Sequence, residues 1–226
     1  MRNAATFIRH NVNTNTLCNT GGRLEIRTNL GTGMMRGRVL IQPEHKRLLL
    51  DLARVTIRRT LRGERAGALP ACPAAALLTP AGSFVSLHEM RTHRLRGCVG
   101  RMDASQPLWQ SVHDAAVGVL SDPRFRDDVV RFDELPSLEL EISVLSPMRP
   151  APTTLDFDPA TQGIYLIHQG RSGCFLPQVA RETGWNREQL LSRLCSEKLE
   201  LPPLAWTEPG ARLLVFSTEI LGPEPF

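Results

Sequence analysis

The run Leu95-Arg96-Gly97-Cys98-Val99-Gly100 sets a thiol, a guanidinium and two glycines within six residues. Cationic neighbours shift a cysteine toward the thiolate, the nucleophilic and metal-binding form. Read as a strand, the run sends Leu95, Gly97 and Val99 to one face and Arg94, Arg96 and Cys98 to the other. The thiol is therefore expected beside Arg96, which would lower its pKa. Gly97 and Gly100 flank it where another group is expected to approach the backbone closely. Against this stands the reading of Cys98 as a small buried hydrophobe.

The same alternation puts Ser86 and His88 on the non-core face of one segment, and Glu141 and Ser143 on that of another. If these strands share a sheet, Cys98 is the candidate nucleophile of a cleft lined by Arg96, Gly97, Gly100, Glu141, Ser143 and His88. The plainer alternatives are a solvated Glu141, or Arg96 and Glu141 as a structural ion pair.

Other constellations carry less. His88-Glu89 with His93 has histidines five apart across a turn, unlike the i, i+4 pair of a zinc-protease helix, so no metal is expected. Gly170-Arg171-Ser172-Gly173 lacks the lysine and spacing of a phosphate loop, and no glycine pattern follows a strand as a dinucleotide site requires, so no cofactor is expected. Arg91, Arg94, Arg96 and Arg101 could meet phosphates, but few aromatics are present to stack on bases, which leaves nucleic acid a minority reading. Asp122-Pro123-Arg124-Phe125 reads as a helix stop with an anchoring aromatic.

The elements that must position these residues follow from periodicity. Leu48, Leu49, Leu52, Val55 and Leu61, with Gly63 as a stop, predict an amphipathic helix from Pro43. Ser83 to Glu89 and Arg94 to Arg101 predict a hairpin. Ser105 as N-cap and Pro107 near the first position open a second helix that ends before Pro123. Leu138 to Leu145 alternates as a half-buried strand. Ile164 to His168 and Gly173 to Leu176 predict another hairpin. A short helix from Pro177 to Gly184 follows, then a helix opened by an Asn186/Gln189 capping box, and a last strand from Arg212 to Leu221. Paired strands favour an α+β fold with a mostly antiparallel sheet and flanking helices.

The chain has 226 residues, 42% of them hydrophobic, enough for one well-filled core. No run approaches the roughly 20 apolar residues of a membrane span, and no secretory signal is evident, so a cytoplasmic location is expected. The five cysteines are widely spaced, as expected of separate thiols. The formal charge is +4; residues 1 to 43 hold six arginines against Glu25, or +5, so the remainder carries −1. Basicity thus resides in a leader, residues 1–41, expected to be disordered and dispensable to the stability of the domain at 42–226.

With these residues in view, the chain from about Glu44 to Gly222 resembles the AMMECR family, called AmmeMemoRadiSam system protein A in microbes. The motifs are Leu95 to Gly100, Asp122-Pro123-Arg124-Phe125, Leu140-Glu141-Ile142-Ser143-Val144-Leu145-Ser146-Pro147, and Gly163-Ile164 through Leu176-Pro177-Gln178-Val179 to Gly184-Trp185. Where that family usually has a Lys-Ala-Gly-Leu-like turn, this chain reads Glu197-Lys198-Leu199-Glu200-Leu201, which puts the local helix end in doubt. The resemblance implies two unequal lobes and a cleft lined by the arginine-glycine-cysteine segment. It also implies association with a Memo-like protein and a radical S-adenosylmethionine protein, any iron-sulfur cluster belonging to that partner. Two functional expectations result: an accessory, partner-binding component, or a cysteine-dependent enzyme or group carrier using Cys98 with Arg96, Glu141 and Ser143. The first is favoured, because no general base is identifiable beside Cys98.

Overall fold

The computed structural model describes residues 41–64 and 69–226. The expectation of a disordered leader falls on residues outside that range, apart from Ile41. Ile41 is buried in the core, and its amide donates to Glu219 Oε2 at 2.7 Å, so the domain includes this residue.

Helix α1 (Pro43–Leu61) starts with proline at its first turn, where the missing N–H costs nothing, and stops at Gly63, whose φ of +68° suits glycine. It buries Leu49, Leu52, Ala53 and Ile57. Val55, expected in the apolar stripe, is 51% exposed, because the buried face is rotated toward Ala53 and Ile57. Helix α2 (Leu108–Gly118) has Pro107 at its N-cap position in place of the expected Ser105. Together α1 and α2 cover one face of a sheet ordered β2-β1-β3-β8, formed by β1 (Ser83–Glu89), β2 (Leu95–Arg101), β3 (Leu138–Leu145) and β8 (Thr218–Pro225). The alternating residues Leu138, Leu140, Ile142 and Val144 of β3 point into this core, as their spacing predicts.

A second antiparallel sheet is ordered β4-β7-β5-β6, from β4 (Arg149–Pro150), β5 (Gly163–His168), β6 (Arg171–Phe175) and β7 (Arg212–Phe216). The β5–β6 hairpin turns through Gln169 and Gly170, both with positive φ, and β6 begins at Arg171, ahead of the expected Gly173. Helices α3 (Pro177–Thr183) and α4 (Arg187–Leu194) complete this lobe. The expected capping box is present: the Gln189 amide donates to Asn186 Oδ1 at 2.9 Å, and the Asn186 amide to Gln189 Oε1 at 3.0 Å.

The architecture is α+β, with the two sheets supporting separate cores. The strand expected over Arg212 to Leu221 divides at Ser217, so β7 ends the second sheet and β8 closes the first. A small cluster of Phe84, Cys98, Leu145 and Phe216 joins the two bodies. Among the described residues no helix is long and apolar enough to cross a membrane.

Candidate functional site

Register decides what the face between the two sheets carries. Cys98 lies opposite Ser86, and Ser86 opposite Glu141, so these three form one row across β2, β1 and β3. The next rows hold Gly100, Phe84 and Ser143 on one side, and His88 and Glu139 on the other. Cys98, Glu141, Ser143 and His88 thus share a face, with Ser86 among them.

Arg96 does not join them. The register slips at Leu87 and His88, so that Gly97 pairs with Leu87 and Leu95 with His88, leaving Arg96 as the extra residue of a bulge. The bulge reverses parity on one side: Leu95 packs on the bridging cluster with Cys98, on the face opposite to the expected one. The Arg96 guanidinium goes instead to Glu134 at 2.9 Å, Asp128 at 3.3 Å and Glu89 at 3.8 Å. Its side chain is only 3% exposed, and Nε has no partner. The expectations that Arg96 lowers the Cys98 pKa or pairs with Glu141 are corrected by this geometry.

The thiol is 8% exposed and packs with Phe84, Leu145 and Phe216. Burial pushes the Cys98 thiol up, outweighing a side-chain hydrogen bond with Ser86 and the charge of Arg124, both of which act downward. A resting thiolate is therefore disfavoured. Cys98 sits on the outer edge of β2, where its N–H and C=O have no strand to meet. Its amide donates to Asp122 Oδ2 at 3.0 Å, and the Arg124 guanidinium donates to its carbonyl at 3.0 Å. The same guanidinium binds Asp122 Oδ2 at 2.6 Å and also makes a side-chain hydrogen bond with Cys98. Asp122 and Arg124 thereby stand in for a neighbouring strand and blunt the edge. Arg124, not Arg96, is the guanidinium beside the thiol.

Both glycines answer to close approach from within the chain. A Cβ on Gly97 would stand 2.6 Å from the Val119 carbonyl oxygen, and one on Gly100 2.1 Å from the Ser83 oxygen and 2.5 Å from the Phe84 Cα. They admit the end of α2 and the Phe84 backbone and ring.

Glu141 is half-buried. Burial first, then the charges of Glu139 and Glu182, push its carboxyl pKa up, while Arg181 works in the other direction. Arg181 and Glu182 lie on α3, so the second lobe supplies part of this environment. His88 is pushed down by burial, against Glu139; His93 Nδ1 meets Glu139 Oε1 at 3.0 Å. Ser143 is buried near Leu145. Cys174 of β6 is pushed up to about 12 by burial. Cys98 and Glu141 stand two strands apart in one row with Ser86 between them, the thiol pushed away from its thiolate form and the carboxyl pushed toward its protonated form. Among the described residues no group of His, Cys, Asp and Glu is arranged to hold a metal ion.

Residue reading took Asp122 and Arg124 only as parts of a helix stop, and did not single out Arg181 and Glu182. An aspartate before proline carries a detectable signal, since it caps the following turn through the Arg124 amide at 3.1 Å. Its second task on the β2 edge, and the arrival of α3 from the other lobe, have no local signature.

Known proteins resemble this chain in sequence and in fold. The family model described as AMMECR1 matches residues 50–221. A protein of Thermococcus gammatolerans is 33% identical over 193 residues, covering 81% of this chain and 93% of that one. A protein of Methanothermobacter thermautotrophicus is 32% identical, covering 77% and 92% respectively. The crystal structure of uncharacterized protein PH0010 from Pyrococcus horikoshii superposes with a TM-score of 0.72 at 28% identity, over 82% of this chain and 99% of that one. This chain belongs to the AMMECR1 family.

Proposed function

We propose that the protein is a non-catalytic binding component, whose cleft between the two sheets receives a segment of a partner protein against Glu141. The observation that carries this reading is the character of Glu141: it is half-buried, and the like charges of Glu139 and Glu182 act on it against the opposing charge of Arg181. A basic side chain placed there would relieve repulsion that the free molecule carries. The row Cys98-Ser86-Glu141 then serves as a recognition surface, with Ser143 and His88 flanking it. The partners that the resemblance implies are a Memo-like protein and a radical S-adenosylmethionine protein, with cluster chemistry resident in the latter.

The test is co-expression with those two proteins of the same genome, followed by size-exclusion chromatography and titration calorimetry at physiological salt. A complex is expected, weakened at least about tenfold by Glu141→Lys, equivalent to 1.4 kcal/mol, and little changed by Cys98→Ser. Absence of a complex, or one indifferent to Glu141→Lys, overturns the reading.

A second reading, a group carrier using Cys98, draws on the Arg124 side chain next to the thiol. It requires that something expose the sulfur and weaken the hold of Asp122 on Arg124, so that the guanidinium can stabilise a thiolate. Intact-mass detection of a covalent adduct lost in Cys98→Ser supports it, and none in protein purified with its partners removes it.

A further inference from the structure

Each sheet ends in two edge strands, whose outward N–H and C=O groups invite pairing with another chain. Three of these four edges are managed from within. Asp122 and Arg124 cap β2 at Cys98, and β4 is two residues long and closes with Pro150. The segment Cys195–Leu199 packs against β6, where Arg171 donates to the Leu199 and Glu200 carbonyls at 2.7 and 2.9 Å. The fourth edge, β8, is blunted only toward its end, by Pro223 and Pro225, with Arg54 donating to the Pro225 carbonyl at 3.1 Å.

Hydrogen-bond parity fixes what the first part of β8 offers. The Leu145 amide donates to the Gly82 carbonyl, toward β1, whereas the Leu138 carbonyl accepts from the Phe226 amide, toward β8. Antiparallel ladders alternate, so Ile142 and Val144 bond to β8 through their partners Leu221 and Glu219. The N–H and C=O of Thr218 and Ile220 then point away from β3, and among the described residues nothing is hydrogen-bonded to them. Both residues are only partly buried, and Gly222 beyond them is exposed. An open backbone edge of this kind accepts an added strand.

The face beside this edge specifies the occupant. Glu139 and Glu141 share the cleft face of β3. Across from Glu139 stands Pro225, and the bulge between Leu140 and Ile142 sets Gly222 and Pro223 across from Glu141, so β8 offers neither carboxylate a cation. Gly222 has no side chain to screen Glu141 from the edge. A strand added to β8 would lie about 4.8 Å from it and about twice that from β3, a gap that Glu141 and the four-carbon stem of a lysine close between them. We infer that the partner segment enters as a strand on β8, pairing its backbone with Thr218 and Ile220 and sending a basic side chain over Gly222 to Glu141. This rests on the proposed binding role and deepens it, naming the edge and the chemistry of the segment. The main-chain bonds supply affinity, and the cation supplies the choice among segments.

The experiment is residue-resolved hydrogen exchange on the full chain, alone and in complex with the proteins co-expressed for the binding test. In the free chain Thr218 and Ile220 should exchange near their intrinsic rates, while Glu219 and Leu221, bonded to β3, are protected. With about nine-tenths of the chain bound, exchange at Ile220 should slow by about tenfold or more. Ile220→Pro removes a donor that the free fold leaves unused, and should weaken the complex at least about tenfold while the chain stays folded. Where that variant unfolds, the exchange measurement decides alone. A complex weakened by Glu141→Lys that leaves Ile220 exchange unchanged overturns the inference and spares the binding role; no complex, or one indifferent to Glu141→Lys, removes both. Protection of Ile220 already present in the free chain also overturns it: if independent of concentration it assigns the edge to residues 1–40, and if it grows with concentration, to a second copy.

Discussion

Replacing Asp122 with alanine removes a carboxylate that accepts four hydrogen bonds: from the Cys98 amide at 3.0 Å, the Arg124 amide at 3.1 Å, and the Arg124 Nε and terminal nitrogen at 3.0 and 2.6 Å. Asp122 is buried, so the loss strands its partners. An unpaired buried amide costs about 1–3 kcal/mol, and removing one member of a buried ion pair about 3–5 kcal/mol. These overlap, because Arg124 is partly exposed and can rehydrate. The expected loss is about 3–4 kcal/mol, or roughly 10 °C in Tm for a domain of this size. The sign with pH is also defined. Hydrogen bonds from Arg124 and from the Cys98 amide outweigh burial, the largest single influence, and hold Asp122 below the ordinary carboxylate value. Its contribution is present above that range and is lost as pH falls through the depressed value. Urea unfolding of wild type and Asp122→Ala at pH 7 and pH 3 measures both effects. A deficit under about 1 kcal/mol at pH 7, or one that fails to shrink at pH 3, would refute the reasoning that this carboxylate caps the β2 edge.

Further consequences can be measured on the same material. Gly100→Ala should cost about 2–3 kcal/mol in urea unfolding, because its Cβ would meet backbone atoms of Ser83 and Phe84 that move only with the strand; a neutral result contradicts that packing. Hydrogen bonds from Arg94 and then Thr92 pull Glu89 down to about 2. Acid unfolding should therefore lose a component between the ordinary carboxylate range and that value in Glu89→Gln, and an unchanged profile counts against the pairing. Glu200 has a left-handed φ of 54°, and Glu200→Gly should stabilise the domain by about 0.5–1 kcal/mol, checked by calorimetric Tm; destabilisation contradicts the strain argument.

Reading of the sequence succeeds where one local rule decides the outcome. Leu138 to Leu145 alternates because one face is buried under α1 and α2, and the Asn186/Gln189 box caps α4 as its spacing requires. It fails where two distant segments share a decision. The bulge at Arg96 depends on the register with β1, and on Glu134 and Asp128 drawing the guanidinium aside, so counting parity along β2 alone sends Arg96 to the wrong neighbours. The Ser217 division is similar: Arg212 to Leu221 reads as one strand although Ser217-Thr218-Glu219 interrupts its apolar residues, and the reciprocal bonds to Ser146 accompany its turn from one sheet to the other. At Glu200 the doubt raised by the departure from the usual turn is resolved by a five-residue π-helical segment, Cys195–Leu199, ending in a left-handed residue. The shared face of Cys98, Glu141, Ser143 and His88 was legible from alternation. Its second wall was not, since Arg181 and Glu182 belong to a helix of the other lobe.

That the row through Cys98 acts as a binding surface depends on a thiol that is neutral and sealed at rest. Alkylation of Cys98 against pH, resolved by peptide mass spectrometry so that the other cysteines do not interfere, tests this directly. The account predicts a rate at pH 7 below that of glutathione, and a half-rise above the ordinary thiol value of about 8.5, because burial outweighs Ser86 and Arg124. Faster reaction than glutathione at pH 7 with a half-rise below that pH would contradict it.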